Sequence, residues 1–139
     1  MVNGGFTQHH GWGIAVLRVV VGIVFLMHGG QKLFVLGFGR VAAFMGRVGV
    51  PAAMLAGIVV TLVEVLGGLA LLLGLFARWF SILLAIDMSV AVLTVHLPNG
   101  FFMPRGYEFP LTLLAANVAL ALLGSGEVSM DRLLARGRT

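Results

Sequence analysis

Arg18, Glu64 and Asp87 each fall within a long run of apolar residues. An ionisable side chain in such a setting is costly unless it faces a partner, a bundle interior or a pathway. Arginine holds a carboxylate bidentately, and one arginine between two acids leaves either a net negative site or one acid protonated. Counted at about 1.5 Å per residue from the end where the chain termini are expected, Arg18 lies about 9 Å deep, Asp87 about 13 Å and Glu64 about 18 Å. A guanidinium reaches several Å further, so the three are expected to meet in one buried cluster. Two uses of that cluster stay open: a polar head for a ligand, or an ion pair that only fixes helix register.

A second polar set lies toward the opposite end: His28, Lys32, His96, Asn99 and Glu108, with Asn117 close to mid-depth on the last apolar run. His28 and Lys32, four residues apart, share a helical face, and Arg18 is on nearly the same line. Asp87 and His96, nine residues apart, point oppositely on an ideal helix, so a continuous network requires their helix to bend or unwind near its end. The two histidines differ in expected depth and have no His-x-x-x-His or acid-rich surroundings, so neither haem nor a metal ion is expected. The chain has no cysteine, which removes disulfides, thiol relays and Cys-ligated iron–sulfur or zinc sites from its own chemistry. Gly37, Gly39 and Ala42 spell a dinucleotide-binding pattern, but that pattern has meaning only between a strand and a helix. His9 and His10 read as terminal tail.

The elements that must position these groups are membrane helices. The chain is 60% hydrophobic and 10% charged over 139 residues, far from a soluble composition, and several runs reach the roughly 20 apolar residues that span hydrocarbon. The reading is a single all-α integral membrane domain, an antiparallel four-helix transmembrane bundle. Its spans are expected at about 12–36, 51–76, 78–97 and 109–124, with a basic tail at 125–139. A turn near Ala77 and Arg78 makes spans two and three antiparallel neighbours. Between spans one and two, Phe38, Val41, Phe44, Met45 and Val48 recur at helical spacing, which predicts a short interfacial helix. Asn99, Phe101, Phe102 and Glu108 belong to a turn-rich aromatic loop expected to cover the mouth of the bundle or lie on the headgroups. No Lys or Arg precedes Arg18, so a retained first span is expected in place of a signal peptide. Arg78, Arg132, Arg136 and Arg138 favour both termini in the cytoplasm. The net charge of +4 is scattered, with no aromatic-interleaved basic stripe, so no nucleic-acid partner is expected.

Across nearly its whole length the chain resembles the DoxX family of small bacterial membrane proteins. The resemblance rests on Leu17-Arg18, Phe25, His28-Gly29, Lys32-Leu33, Ala43, Met45, Gly49 and Pro51. It continues in Glu64, Gly67-Gly68, Gly74-Leu75, Arg78, Asp87-Met88, His96, Asn99 to Phe102, Gly106 and Glu108 to Pro110. It implies a four-span protein of the bacterial inner membrane, linked to quinone or thiol stress or to membrane oxidoreductase complexes. It supplies no agreed catalytic motif, and whether the chain is itself catalytic stays open. The favoured reading is a redox-linked subunit that binds a quinone-like lipophilic ring and works with a partner oxidoreductase. Its alternatives are a non-catalytic scaffold and a small transporter. Ala53, Gly57 and Thr61, spaced along span two, also suggest a homo-oligomer in the bilayer.

Overall fold

The computed structural model describes residues 4–137, with side chains from His10 onward. Six α-helices follow in order: α1 (Gly4–Gly30), α2 (Gly37–Arg47), α3 (Ala53–Leu73), α4 (Ala77–Ala91), α5 (Glu108–Leu123) and α6 (Met130–Arg136). A π-helical stretch, Gln31–Leu36, continues α1, and a second, Val92–His96, continues α4 into a single 3-10 turn at Leu97–Asn99. No strand occurs among the described residues. Three continuous stretches, His10–Arg47, Ala53–Leu73 and Ala77–Asn99, are long and apolar enough to cross a membrane, and Glu108–Leu123 is a shorter apolar helix. Large apolar side chains on their outer faces, among them Val16, Met27, Leu55, Leu66, Ile86 and Leu122, stay exposed.

Glycines set how closely these helices approach. A Cβ at Gly68 would stand 2.5 Å from the Leu26 amide nitrogen, one at Gly29 2.7 Å from that of Val65, and one at Gly22 2.9 Å from the Gly68 carbonyl oxygen. All three obstacles are backbone, so α1 and α3 touch main chain to main chain, which only small residues permit. Gly67 likewise makes room for Leu84 of α4. Around these contacts Val21, Phe25, Leu71, Ala77, Leu84, Met88, Leu113 and Leu120 form the core.

Several expectations shift. Helix α1 begins at Gly4, so His9 and His10 are helical instead of tail. The tight turn falls at Gly74–Phe76, where Gly74 (φ 67°) closes α3 in the left-handed region and Phe76 (φ 49°) precedes α4. The residues between the first two long helices form a helix, α2, set off by Gly37 at φ 74°. It buries Val41 and Ala42, and Ala42 packs on Gly57 of α3. Thr61 is fully buried and donates to the Gly57 carbonyl at 2.7 Å. Gly57 and Thr61 are thus occupied by contacts within the chain.

The basic tail is the largest difference. After Gly124 the chain turns back onto the bundle: Ser129 caps α6 by accepting from the Arg132 amide, and Glu127 pairs with Arg132. The hydrogen bond from Arg132 holds Glu127 below the usual carboxylate range. Asp131 accepts from the Phe76 and Ala77 amides at 2.8 and 3.3 Å, capping α4, and its own amide donates to the Gly74 carbonyl at 3.0 Å. Residues 125–136 therefore clamp the α3–α4 turn. Arg138 lies outside the described residues.

Candidate functional site

Lys32, at the start of the π-helical stretch of α1, donates to Glu64 Oε2 of α3 at 2.5 Å. Asp87 of α4 lines the same cavity as Lys32 and Glu64. One cation and two carboxyl groups, from three helices, thus converge. Asp87 keeps one buried carboxyl oxygen, Oδ2, without a partner. A buried acceptor in that condition is costly unless something supplies a donor.

The cation differs from the expected one. Arg18 is buried, but its guanidinium donates to the carbonyls of Ser125 and Val128, both at 2.6 Å. It lies against Gly74, ten residues along the chain from Glu64, or about 15 Å along the helix. Helical side chains lean toward the N-terminus of their own helix. That lean carries Arg18 away from the middle of the bundle, toward the C-terminal clamp. It carries Lys32 back toward the middle, while Glu64, on the antiparallel α3, leans to meet it. Depth counted from Cα positions alone misses this, so the expected Arg18–Glu64–Asp87 cluster is corrected to Lys32–Glu64–Asp87.

A cavity of about 770 Å³ opens onto this cluster. Its walls are apolar, with Phe25 from α1, Val59, Val60 and Val63 from α3, Leu83, Ile86 and Met88 from α4, and Phe109 and Leu113 from α5. Its polar groups are Lys32, Glu64, Asp87, Thr94, His28 and His96. That size and that balance of apolar wall to few polar groups suit a drug-sized or cofactor-sized molecule. The His28 ring lies 6.4 Å from that of Phe109.

His96 reaches the same cavity as Asp87 because α4 changes pitch between them. The five π-helical residues Val92–His96 advance the helix by fewer degrees per residue than an α-helix, bringing round a side chain that an ideal helix would turn away. The required unwinding is thus present. His96 Nδ1 is bound to the Arg105 carbonyl at 2.9 Å, tying this wall to the loop.

The loop covers the cavity with other residues than expected. Met103 and Pro104 line it, whereas Phe101, Phe102 and Asn99 do not. Phe101 instead packs edge-on against Phe102 and Tyr107, Asn99 donates to the Val95 carbonyl of its own helix, and Glu108 accepts from the Met103 amide at 2.6 Å. Asn117 is fully buried on α5 but bonds the Leu113 carbonyl and stands outside the cavity. The sequence does not single out Thr94, and it gives Met103 and Pro104 only as members of the turn-rich loop. No ionisable group marks them, and only the π turn and the folded loop bring them inward. Among the described residues no group of three His, Cys, Asp or Glu is placed to hold a metal ion.

The DoxX family model matches residues 13–97, the part of the chain that carries Lys32, Glu64, Asp87 and His96. A Bacillus subtilis protein with the name "Putative oxidoreductase CatD" is 32% identical over 91% of this chain and 90% of its own length. An uncharacterised membrane protein of Mycobacterium tuberculosis is 33% identical over 91% of this chain and 83% of its own. Inner membrane protein YphA of Escherichia coli is 27% identical over 86% and 88%. No solved structure matches the chain.

Proposed function

The chain belongs to the DoxX family of membrane proteins, and from that premise we propose that it is a redox-linked membrane subunit whose central cavity binds a quinone-like lipophilic ring. The observation that carries this reading is the cavity of about 770 Å³ with Lys32, Glu64 and Asp87 grouped on one wall. An apolar slot holds the ring and its hydrocarbon tail, and the grouped cation and carboxyls offer donors to a carbonyl head. The oxidoreductase in the name of the Bacillus subtilis relative supports the same reading. With no cysteine in the chain, the electrons come from a partner oxidoreductase, and this chain's part is to bind and orient the ring. A pure scaffold would need no ligand-sized cavity, which sets that alternative behind.

We place the protein in the bacterial inner membrane, the location in the name of its Escherichia coli relative, with α1, α3, α4 and α5 as four spans, α2 near the interface and both termini cytoplasmic. The Arg78, Arg132 and Arg136 end then carries the inside charge. Titration of the detergent-solubilised protein with a short-tailed benzoquinone, followed by intrinsic fluorescence or calorimetry, tests the binding. Saturable binding that Lys32→Met weakens on the order of tenfold is expected, the size of one lost charged hydrogen bond. No saturation, or unchanged binding by Lys32→Met, overturns it.

A further inference from the structure

A second pocket, about 560 Å³, lies on the far side of Lys32, between the π-helical end of α1 and helix α2. Lys32, Leu36, Arg40, Phe44, Met45 and Arg47 line it, so it holds three cations and no acid. Of the five acidic side chains, Glu64 neutralises Lys32, Asp87 lines the larger cavity, Glu108 accepts from the Met103 amide, Glu127 pairs with Arg132, and Asp131 accepts from the Phe76 and Ala77 amides, which leaves Arg40 and Arg47 as the uncompensated cations of the pocket. Arg40 and Arg47 are both exposed, and Arg47 lies over the Phe44 ring at 5.9 Å. Beside them Leu36 and Phe44 are also exposed. Positive charge without a protein counter-charge, bordering an apolar hollow, complements an anionic head joined to a hydrocarbon chain.

We propose that this pocket is a binding site for an anionic phospholipid, its phosphate held between Arg40 and Arg47 and its acyl chain lying on Leu36, Phe44 and Met45. Occupants without an anionic head leave both guanidinium groups without a counter-charge, and a free anion leaves the apolar walls uncovered. Lys32, Phe44 and Met45 line both cavities. A bound phosphate therefore stands next to the cation that Glu64 uses, which places the lipid beside the larger site without depending on what that site binds.

Native mass spectrometry of the detergent-solubilised protein titrated with short-chain phosphatidylglycerol, phosphatidylcholine or inorganic phosphate tests the assignment. Wild-type protein is expected to retain phosphatidylglycerol in preference to phosphatidylcholine. The R40Q/R47Q variant is expected to bind phosphatidylglycerol more weakly on the order of tenfold or more. Both arginines are exposed, so that variant keeps the wild-type thermal midpoint in phosphatidylcholine. Arg105→Gln, outside the pocket, is the control for overall charge and is expected to bind as wild type. Equal retention of the two lipids overturns the site, as does unchanged binding by R40Q/R47Q or an equal loss in Arg105→Gln. Inorganic phosphate binding as tightly as phosphatidylglycerol overturns the lipid as its occupant.

Discussion

At the scale of single residues, the pairing of charges inside the bundle follows from which way each side chain leans. Lys32 and Glu64 are in contact, whereas Arg18 serves the carbonyls of the C-terminal clamp. A double-mutant cycle on thermal stability in detergent separates the two arrangements. Lys32→Met combined with Glu64→Gln is expected to be less damaging than the sum of the single changes by about 1 kcal/mol or more, because the second change removes the acid that the first leaves unpaired. Arg18→Met combined with Glu64→Gln is expected to be additive within about 0.5 kcal/mol, since the two lie about 15 Å apart along the bundle. Coupling in the arginine pair without coupling in the lysine pair would contradict the geometry. The sequence identified both acids, and it placed Lys32 on the same line as Arg18. It misjudged only the partner, because position along a helix does not record the direction of a long side chain.

At the scale of elements, glycine contacts and helix caps decide the register that brings those residues level. Gly68→Ala puts a methyl group against the Leu26 amide and the Gly22 carbonyl. Backbone does not yield as a side-chain end does, so a loss of about 2 kcal/mol or more is expected, seen as a lowered thermal midpoint. Gly13→Ala, which meets open space on the exposed side of α1, is expected to be neutral or to stabilise by up to about 1 kcal/mol. Asp131→Ala removes the cap of α4 and releases the clamp, with an expected cost of about 1–2 kcal/mol; an unchanged midpoint would detach the C-terminal segment from the fold. The small residues of α3 were visible in the sequence, but not whether they faced α1, α2 or another copy. That choice is made by the whole set of neighbours. The two π-helical stretches leave no composition signal, yet they set the angles of Lys32 and His96.

For the molecule as a whole, the proposed function rests on the open space between helices and on the number of crossings. Ala91 lines the cavity without belonging to its polar wall. Ala91→Trp is expected to fill part of the space and abolish saturable benzoquinone binding while leaving the Lys32–Glu64 coupling intact. Retained binding would locate the ligand elsewhere. Helix α5 has 16 residues, about 24 Å against a hydrocarbon core of about 30 Å, so its crossing needs its own test. In the cysteine-free chain, single cysteines replacing Phe102 and Leu133, both well exposed, are expected to react with an impermeant maleimide from opposite sides of the membrane. Labelling from one side would remove α5 from the spans. The sequence by itself determined that this is an all-helical membrane protein with acids on two neighbouring helices, because apolar length and the cost of buried charge are properties of local composition. Only the tertiary structure decided which cation neutralises those acids, that the basic tail folds back as a clamp, and that an apolar cavity stands beside the cluster. Those outcomes depend on helix register, side-chain lean and helical pitch, which arise when backbones pack against one another.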